Sequence, residues 1–157
     1  MNICIIDDEK DNREILSFII NTHHKDVIIV GEADSVQNGI LLINATKPDL
    51  IFLDIDLPDG TGFDLIRQLH DHKPEIIFCT AYNQFALKAI ECSALGYVLK
   101  PIIKDSIADA LKKASAKLDV NHKVLQYEIL QEQLRNADST RARFLLSNSD
   151  KMHIIYI

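Results

Sequence analysis

Five short apolar runs recur along the first hundred residues, at 2–6, 27–30, 50–53, 76–79 and 96–99. The run at 50–53 does not alternate apolar with polar positions, and polar residues bound it on both sides. This pattern is typical of a strand that is buried on both faces of a parallel sheet. Because the other runs have the same character, the pattern predicts five buried strands.

Between and after these runs, apolar residues recur three or four positions apart, which is the period of a helix with one buried face. Four of the five predicted helices have a capping signature at their start, formed by Asp11 with Glu14, by Ser35, by Thr61 and by Asn83. The predicted inward residues are, helix by helix, Ile15, Leu16, Ile19 and Ile20; Val36, Ile40 and Ile43; Phe63, Ile66 and Leu69; Ala86, Leu87 and Ile90; and Ile107, Leu111, Ala114 and Leu118.

The alternation of strands and helices predicts an α/β fold, with a doubly wound parallel sheet and helices on both faces. We expect the flavodoxin-like strand order 2-1-3-4-5, in which the second strand is an edge and the switch point lies between the first and third. The second strand ends in Gly31 and Glu32 and offers little chemistry, which suits an edge.

The chain beyond Leu118 continues as a helical extension, with Val124, Tyr127, Leu130 and Leu134 near helical spacing. Their stripe is shifted relative to the one before Asn121. Two interpretations remain open, a solvated connector and a helix that pairs in a dimer. We assign residues 1–120 to the main domain and 121–140 to a helical linker.

Residues 141–157 have the pattern of a short β-hairpin. Apolar runs at 144–146 and 153–157 flank a polar turn at 147–150. A lone hairpin is marginal in water, so these residues are predicted to be the partial start of a C-terminal domain.

Composition and charge exclude several classes. The chain has 157 residues and a net charge of −6. Residues 1–99 hold 16 of its 23 acidic and 7 of its 17 basic side chains, so this part is a poor nucleic-acid binder by itself. No apolar run is long enough to cross a membrane. The odd number of cysteines without metal-ligand spacing fits buried thiols and a reducing cytoplasm.

Polar side chains stand at the ends of four strands. The first strand ends in Asp7 and Asp8, the third in Asp54, the fourth in Thr80 and the fifth in Lys100. In open α/β sheets this edge is where ligands bind. The strand order brings the three carboxylates into one crevice, with Thr80 one strand away and Lys100 two.

Carboxylates crowded in this way repel one another unless something neutralises them. Mg²⁺ takes oxygen ligands and is common beside phosphate. Lys100 supplies a positive charge suited to a carboxylate or a phosphoryl oxygen, and Thr80 supplies a hydroxyl donor. Together these groups favour phosphoryl transfer onto Asp54, whose ionised carboxylate needs no general base.

The segments 5–9, 49–62, 80–82 and 97–101 resemble the receiver domain of two-component response regulators. The resemblance covers roughly residues 1–120 and implies a role for each matching residue. Asp54 would be the phosphoacceptor, with Mg²⁺ held by Asp8, Asp7, Asp54 and the main-chain carbonyl of Asp56. Thr80 and Tyr97 would form the switch pair, Lys100 would contact the phosphoryl group, and the Lys100–Pro101 peptide bond would be cis.

Residues 80–91 and the late hairpin resemble the LytTR subgroup, whose regulators bind DNA through a C-terminal domain. The resemblance implies a sensor histidine kinase as phosphodonor, a homodimer formed on phosphorylation, and control of transcription. It implies a phosphoacceptor switch that assists its own phosphorylation rather than an enzyme. DNA binding would require the C-terminal domain, most of which is absent from this sequence, and no membrane partner is implied.

Three other hypotheses compete with this switch. A haloacid-dehalogenase-like phosphatase would use Asp54 and Asp56 as its Asp-x-Asp motif, but that motif belongs on a first strand, and no cap domain is evident. A dinucleotide-binding module is disfavoured because no Gly-x-Gly-x-x-Gly follows a strand. A docking domain with a relic site is disfavoured because the set of polar residues is complete.

Overall fold

The computed structural model describes the backbone of residues 1–147 and the side chains of residues 1–133. Strands and helices alternate along the chain up to a long final helix, apart from two short strands at residues 56–57 and 60–61. The elements are β1 (Asn2–Ile6), α1 (Lys10–His23), β2 (Ile28–Ala33), α2 (Val36–Thr46), β3 (Leu50–Leu53), β4 (Asp56–Leu57), β5 (Gly60–Thr61), α3 (Gly62–Gln68), β6 (Glu75–Thr80), α4 (Ala86–Glu91), β7 (Gly96–Leu99) and α5 (Lys104–Ser147).

Five strands form one parallel sheet in the order β2-β1-β3-β6-β7. Counting only the strands of this sheet, the order is 2-1-3-4-5, so the predicted fold class is confirmed. The short strands β4 and β5 form a separate antiparallel pair directly after β3. That pair was not predicted, because each of its strands has only two residues.

The core has two layers, one on each face of the sheet. Ile3 and Ile5 of β1 point to one layer, whereas Cys4 and Ile6 point to the other, as the two-residue period of a strand requires. The first layer is completed by residues of α1 and α5, and the second by residues of α2, α3 and α4. Burial on both faces explains the continuous apolar runs of β1, β3 and β6, whereas the edge strands β2 and β7 are only partly buried, so the prediction of five buried strands is wrong for these two.

Two of the predicted helix caps are present and two are not. The Ser35 side chain accepts from the N–H of Asn38, and Thr61 forms a capping box with Asp64. In contrast, α1 begins after Glu9 without a side-chain cap, and α4 begins after Phe85 rather than at Asn83. The Asn83 carbonyl instead accepts from the N–H of Ala86.

The inward face predicted for α4 is wrong. Leu87 and Ile90 are 77% and 71% exposed, and the buried residue of this helix is Ala89. The helix has only six residues, too few for its apolar period to identify the buried side. A small side chain at Ala89 lets the backbone of α4 approach the second core layer, where Phe85 also packs.

The chain divides into two compact units after Leu118. In the second unit the helix α5 continues to Ser147. The first half of the predicted hairpin, residues 144–146, is therefore helical, and this prediction is wrong. No Gly or Pro interrupts residues 119–147, so the backbone has no strong local signal to leave the helix. The second half of the hairpin lies outside the described residues.

Candidate functional site

The parallel register aligns the carboxyl ends of four strands at one edge of the sheet. Ile6 pairs with Leu53, and Leu53 pairs with Phe78. Asp7 and Asp54 follow directly, and the N–H of Asp54 donates to the carbonyl of Ile6 at 2.8 Å. On the far side, the N–H of Lys100 donates to the carbonyl of Thr80 at 2.9 Å. The strand-end residues predicted from the sequence therefore share one edge.

Lys100 lies between the two buried carboxylates. Its Nζ is 2.5 Å from Oδ2 of Asp54 and 2.9 Å from Oδ2 of Asp7. A third carboxylate, that of Glu9, is 3.6 Å away. The side chains of Lys100, Asp7 and Asp54 are 10%, 5% and 6% exposed, so their charges are largely removed from water, and the ammonium group of Lys100 offsets part of the negative charge of the two carboxylates.

The pKa values of Lys100 and Asp7 reflect the balance between burial and the attraction of opposite charges. Burial alone would lower the pKa of Lys100, but the hydrogen bonds and charges of Asp54 and Asp7 outweigh burial and raise it. Lys100 therefore stays charged. Burial raises the pKa of Asp7, while the hydrogen bond from Lys100 opposes that rise. Asp7 thus depends on Lys100 to remain an anion at low cost.

Backbone N–H groups hold the other carboxylate oxygens. Oδ1 of Asp54 accepts from the N–H of Ile55 at 2.6 Å and from that of Asp56 at 3.3 Å. Oδ1 of Asp7 accepts from the N–H of Glu9 at 3.0 Å and from Nδ2 of Asn12 at 3.4 Å. Each carboxylate therefore has one oxygen bound to the backbone and the other facing Lys100, which sets its orientation.

The turn after Asp54 packs tightly against the start of α3. The N–H of Gly62 donates to the carbonyl of Ile55 at 2.9 Å. A Cβ at Gly62 would lie 2.5 Å from the backbone oxygen of Asp54. Glycine is therefore required at this position by close approach, and the helix supports the backbone that carries Asp54.

Asp7, Asp8 and Glu9 form an acidic cluster whose ligand oxygens lie within 4.8 Å of one another. Asp7 is buried, whereas Asp8 and Glu9 are exposed. An all-oxygen donor set of this kind suits Mg²⁺. Glu9 was absent from the predicted ligands, although its place directly after Asp8 could have indicated it. Asp54 lies beside this cluster because Lys100 contacts both Asp7 and Asp54. Asp56 follows Asp54 by two residues in the chain.

Thr80 and Tyr97 are joined through Tyr82, which the sequence did not single out. Thr80 is fully buried, and its Oγ1 accepts from the N–H of Tyr82 at 3.5 Å. The hydroxyl of Tyr97 donates to the carbonyl of Tyr82. The hydroxyl of Tyr82 itself donates to Oδ2 of Asp56 at 3.3 Å. The loop after β6 therefore contacts both the fifth sheet strand and the segment that follows Asp54.

The pKa values of both tyrosines are raised. For Tyr82 the main causes are the charge of Asp56 and the hydrogen bond to it. For Tyr97 the main cause is burial, followed by the charge of Asp54. Both hydroxyls therefore stay protonated and act as donors. The Lys100–Pro101 peptide bond is cis, as the resemblance implied.

A 2-1-3-4-5 sheet with three acidic residues, a lysine and a buried threonine at its carboxyl edge defines the class of phosphoacceptor receiver proteins. The response regulator receiver domain family matches residues 3–112. The chain belongs to this family, and the prediction of a receiver domain is confirmed. As a receiver domain it is a phosphoacceptor rather than an enzyme, which excludes the phosphatase hypothesis.

Several curated relatives are regulators of the predicted LytTR subgroup. The chain is 43% identical over 120 residues to the sensory transduction protein LytT of Enterococcus faecalis, covering 75% of this chain and 49% of that protein. It is 38% identical over 117 residues to the positive alginate biosynthesis regulatory protein of Pseudomonas aeruginosa, covering 73% and 47%. The chain thus spans about half the length of these relatives.

A solved structure shares the fold. The response regulatory domain of protein mrkE from Klebsiella pneumoniae is 36% identical and superposes with a TM-score of 0.68, covering 76% of this chain and 98% of that domain. Within the described residues, no helix is both long and apolar enough to cross a bilayer.

Proposed function

We propose that this protein accepts a phosphoryl group on Asp54 from a sensor histidine kinase and responds by changing its conformation. The observation that carries the proposal is the arrangement of the Asp54 carboxylate. One of its oxygens is bound by two backbone N–H groups, and the other lies 2.5 Å from Lys100. The side chain is thus oriented before any donor arrives.

In the transfer, a carboxylate oxygen of Asp54 attacks phosphorus. The bond from phosphorus to the kinase histidine nitrogen breaks, and its electron pair leaves with the imidazole, which takes up a proton. Lys100 keeps its charge beside the new acyl phosphate and can move from the carboxylate to a phosphoryl oxygen. Thr80 offers its hydroxyl from the end of the neighbouring strand.

The donor atoms of this edge fit Mg²⁺, and we propose that Asp7, Asp8, Asp54 and the main-chain carbonyl of Asp56 would hold the ion. When bound, it supplies positive charge that offsets the carboxylates and the phosphoryl oxygens. Asp8 is exposed and forms no side-chain ion pair in the described part of the chain, so its carboxylate is available as a ligand. Asp7 is committed to Lys100, which would have to share it.

The switch that we propose links Asp54 to the surface through Thr80 and Tyr97. A phosphoryl group on Asp54 would draw the Thr80 hydroxyl towards it, which empties space near the start of α4. Tyr97 has a large ring that already contacts Phe78, with centroids 6.3 Å apart, and it could fill that space. The surface of α4, β7 and α5 would change in consequence, and dimerisation would follow.

The proposed output is transcriptional control through a LytTR-type DNA-binding domain that begins after a helical linker at residues 121–140. Two features support this proposal, namely the similarity to LytT-type regulators and the fact that the matched region covers only about half of those relatives. Cytoplasmic action is proposed with it, since the three cysteines are free thiols.

The acceptor assignment is tested by incubating the chain with Mg²⁺ and a small acyl phosphate. We expect the wild type to gain one phosphoryl group by intact mass, and Asp54→Asn to gain none while keeping its fold by circular dichroism. The matched controls are Asp56→Asn and Asp59→Asn, which remove nearby carboxylates and should still be phosphorylated. A phosphoryl group mapped to Asp56 or Asp59 in the wild type would refute the proposal.

A further inference from the structure

The part of helix α5 beyond Leu118 has apolar side chains that nothing in the described chain covers. Val120, Val124 and Tyr127 are 58%, 53% and 66% exposed. The helix continues for about eight turns beyond Leu118. An isolated helix is marginal in water and gains most of its stability from packing of an apolar face. This face therefore requires a packing partner.

Three of the six exposed apolar residues at 120–130, together with Gln131, have the spacing of a coiled-coil seam, whereas Leu125, Ile129 and Leu130 lie outside it. Val120, Val124, Tyr127 and Gln131 are separated by four, three and four positions, which is the alternation of d and a positions in a heptad. We call these four residues the α5 seam. Gln131 places one polar residue at an a position, and a polar a position specifies register and oligomeric state at some cost in stability.

The charges beside the α5 seam are complementary between two copies. Lys123 falls at a g position and Glu128 at the following e position, and both are exposed. Neither forms an ion pair within the described part of one chain. In a parallel, in-register pair a g residue lies beside the e residue five positions on in the other helix, so Lys123 meets Glu128 of the second copy.

We propose that the α5 seam pairs with the same seam of a second copy as a parallel two-stranded coiled coil. A two-fold axis makes both Lys123–Glu128 contacts equivalent, as expected of a homodimer. The pairing does not depend on phosphorylation, because none of these residues belongs to the phosphoacceptor site. It would raise the effective concentration of the two receiver domains for each other.

The first test compares two adjacent residues in the full chain without any phosphodonor. Val124 lies in the α5 seam, whereas Leu125 is 55% exposed and lies outside it. By sedimentation equilibrium, we expect Val124→Asp to raise the dimer dissociation constant by at least about tenfold, since it buries a charge. Leu125→Asp has the same chemistry at the same exposure and should leave the constant close to that of the wild type.

Two results would overturn the proposal. One is a wild-type chain that is monomeric across the concentration series, as expected if another part of a longer protein covers the seam. The other is an equal loss of dimer in both variants, or a loss only in Leu125→Asp. Because the measurement uses no phosphodonor, failure here is distinguishable from failure of the phosphoacceptor proposal.

The second test addresses orientation. Lys123→Glu should weaken the dimer by about threefold or more, and the double change with Glu128→Lys should restore it. A Gln131→Cys chain in a Cys92→Ser background should form a disulfide-linked dimer in air, because a positions face each other in a parallel pair. Failure of both the charge restoration and the cross-link would exclude the parallel arrangement.

Discussion

At the scale of single residues, Lys100 serves as the counter-ion of the site. It bridges Asp7 and Asp54, two carboxylates that would otherwise be buried close together without a compensating charge. A buried ion pair adds little net stability, but removing one partner leaves an uncompensated charge. In the proposed function the same ammonium group would later face a phosphoryl group, so structural and functional roles would coincide in one side chain.

Replacing this counter-ion should destabilise the fold in a pH-dependent way. We expect Lys100→Met to lower the free energy of unfolding at neutral pH by about 2 to 4 kcal/mol. Burial already raises the pKa of Asp7, and without the opposing hydrogen bond and charge of Lys100 that pKa would rise further. The variant should therefore recover stability as the pH falls below the folded pKa of Asp7 and lose it as the pH rises through that value.

Urea unfolding at a series of pH values tests this expectation, with Lys112→Met as the control, because Lys112 is an exposed lysine with no ion pair in the described chain. A Lys100→Met chain as stable at neutral pH as the control would show that Lys100 does not carry the compensation.

Asp8 should behave differently from the buried Asp7 that precedes it. It is exposed and adds negative charge to the acidic cluster, so Asp8→Ala should weaken Mg²⁺ binding and leave the metal-free fold as stable or slightly more stable. Magnesium titration followed by calorimetry and urea unfolding in a chelator measure the two effects. Loss of metal-free stability together with unchanged magnesium affinity would identify Asp8 as structural.

At the scale of elements, helix starts separate what local sequence decides from what tertiary contacts decide. Ser35 and Thr61 cap their own helices, as expected from the sequence. The start of α2 has a second cap that no local pattern indicates. Asp59, from the turn between β4 and β5, accepts from the N–H groups of Val36 at 2.7 Å and Gln37 at 3.0 Å.

This remote cap should make stability depend on pH. The N–H groups of Gln37 and Val36 hold the pKa of Asp59 below its ordinary value. A lowered folded pKa contributes stability above the unfolded value, about 3.9, which is lost as the pH falls through the folded value. We therefore expect Asp59→Ala to lower the urea midpoint at neutral pH, and the difference from the wild type to shrink in acid.

The control for this cap is Asp71→Ala, since Asp71 is exposed and has no hydrogen bond in the described chain that involves its side chain. Equal midpoints for Asp59→Ala and Asp71→Ala at neutral pH would show that the remote cap contributes nothing. A difference that persists unchanged in acid would show that the effect is not due to the charge of Asp59.

At the scale of the whole molecule, the sheet edge and the α4 surface are connected by the loop after β6. Tyr82 links Thr80, Tyr97 and Asp56 through three hydrogen bonds. The exposed Leu87 and Ile90 of α4 lie just beyond that loop. Two arrangements of this loop would present different surfaces to a partner. A difference of a few kcal/mol in binding free energy between the two arrangements is enough to move the population of one of them from 1% to 99%.

The switch proposal predicts that loss of either switch residue weakens the dimerisation response but not phosphorylation. Thr80→Ala and Tyr97→Ala should still acquire a phosphoryl group on Asp54, but beryllofluoride should strengthen their dimers less than it strengthens the wild-type dimer. The comparison is best made by sedimentation in a Val124→Asp background, which removes pairing through the α5 seam. If both variants respond to beryllofluoride as the wild type does, the Thr80–Tyr97 mechanism is wrong.

The sequence by itself determined the alternation of strands and helices, the order of the sheet and the chemistry at the strand ends. These follow from periods of two and 3.6 residues and from residues adjacent in the chain, such as Asp54 after Leu53. Only the tertiary structure decided that Lys100 bridges Asp7 and Asp54, that Asp59 caps α2, and that Ala89 is the buried residue of α4. Each of these contacts joins segments far apart in the chain, and their geometry depends on strand register and helix packing, which no local period encodes.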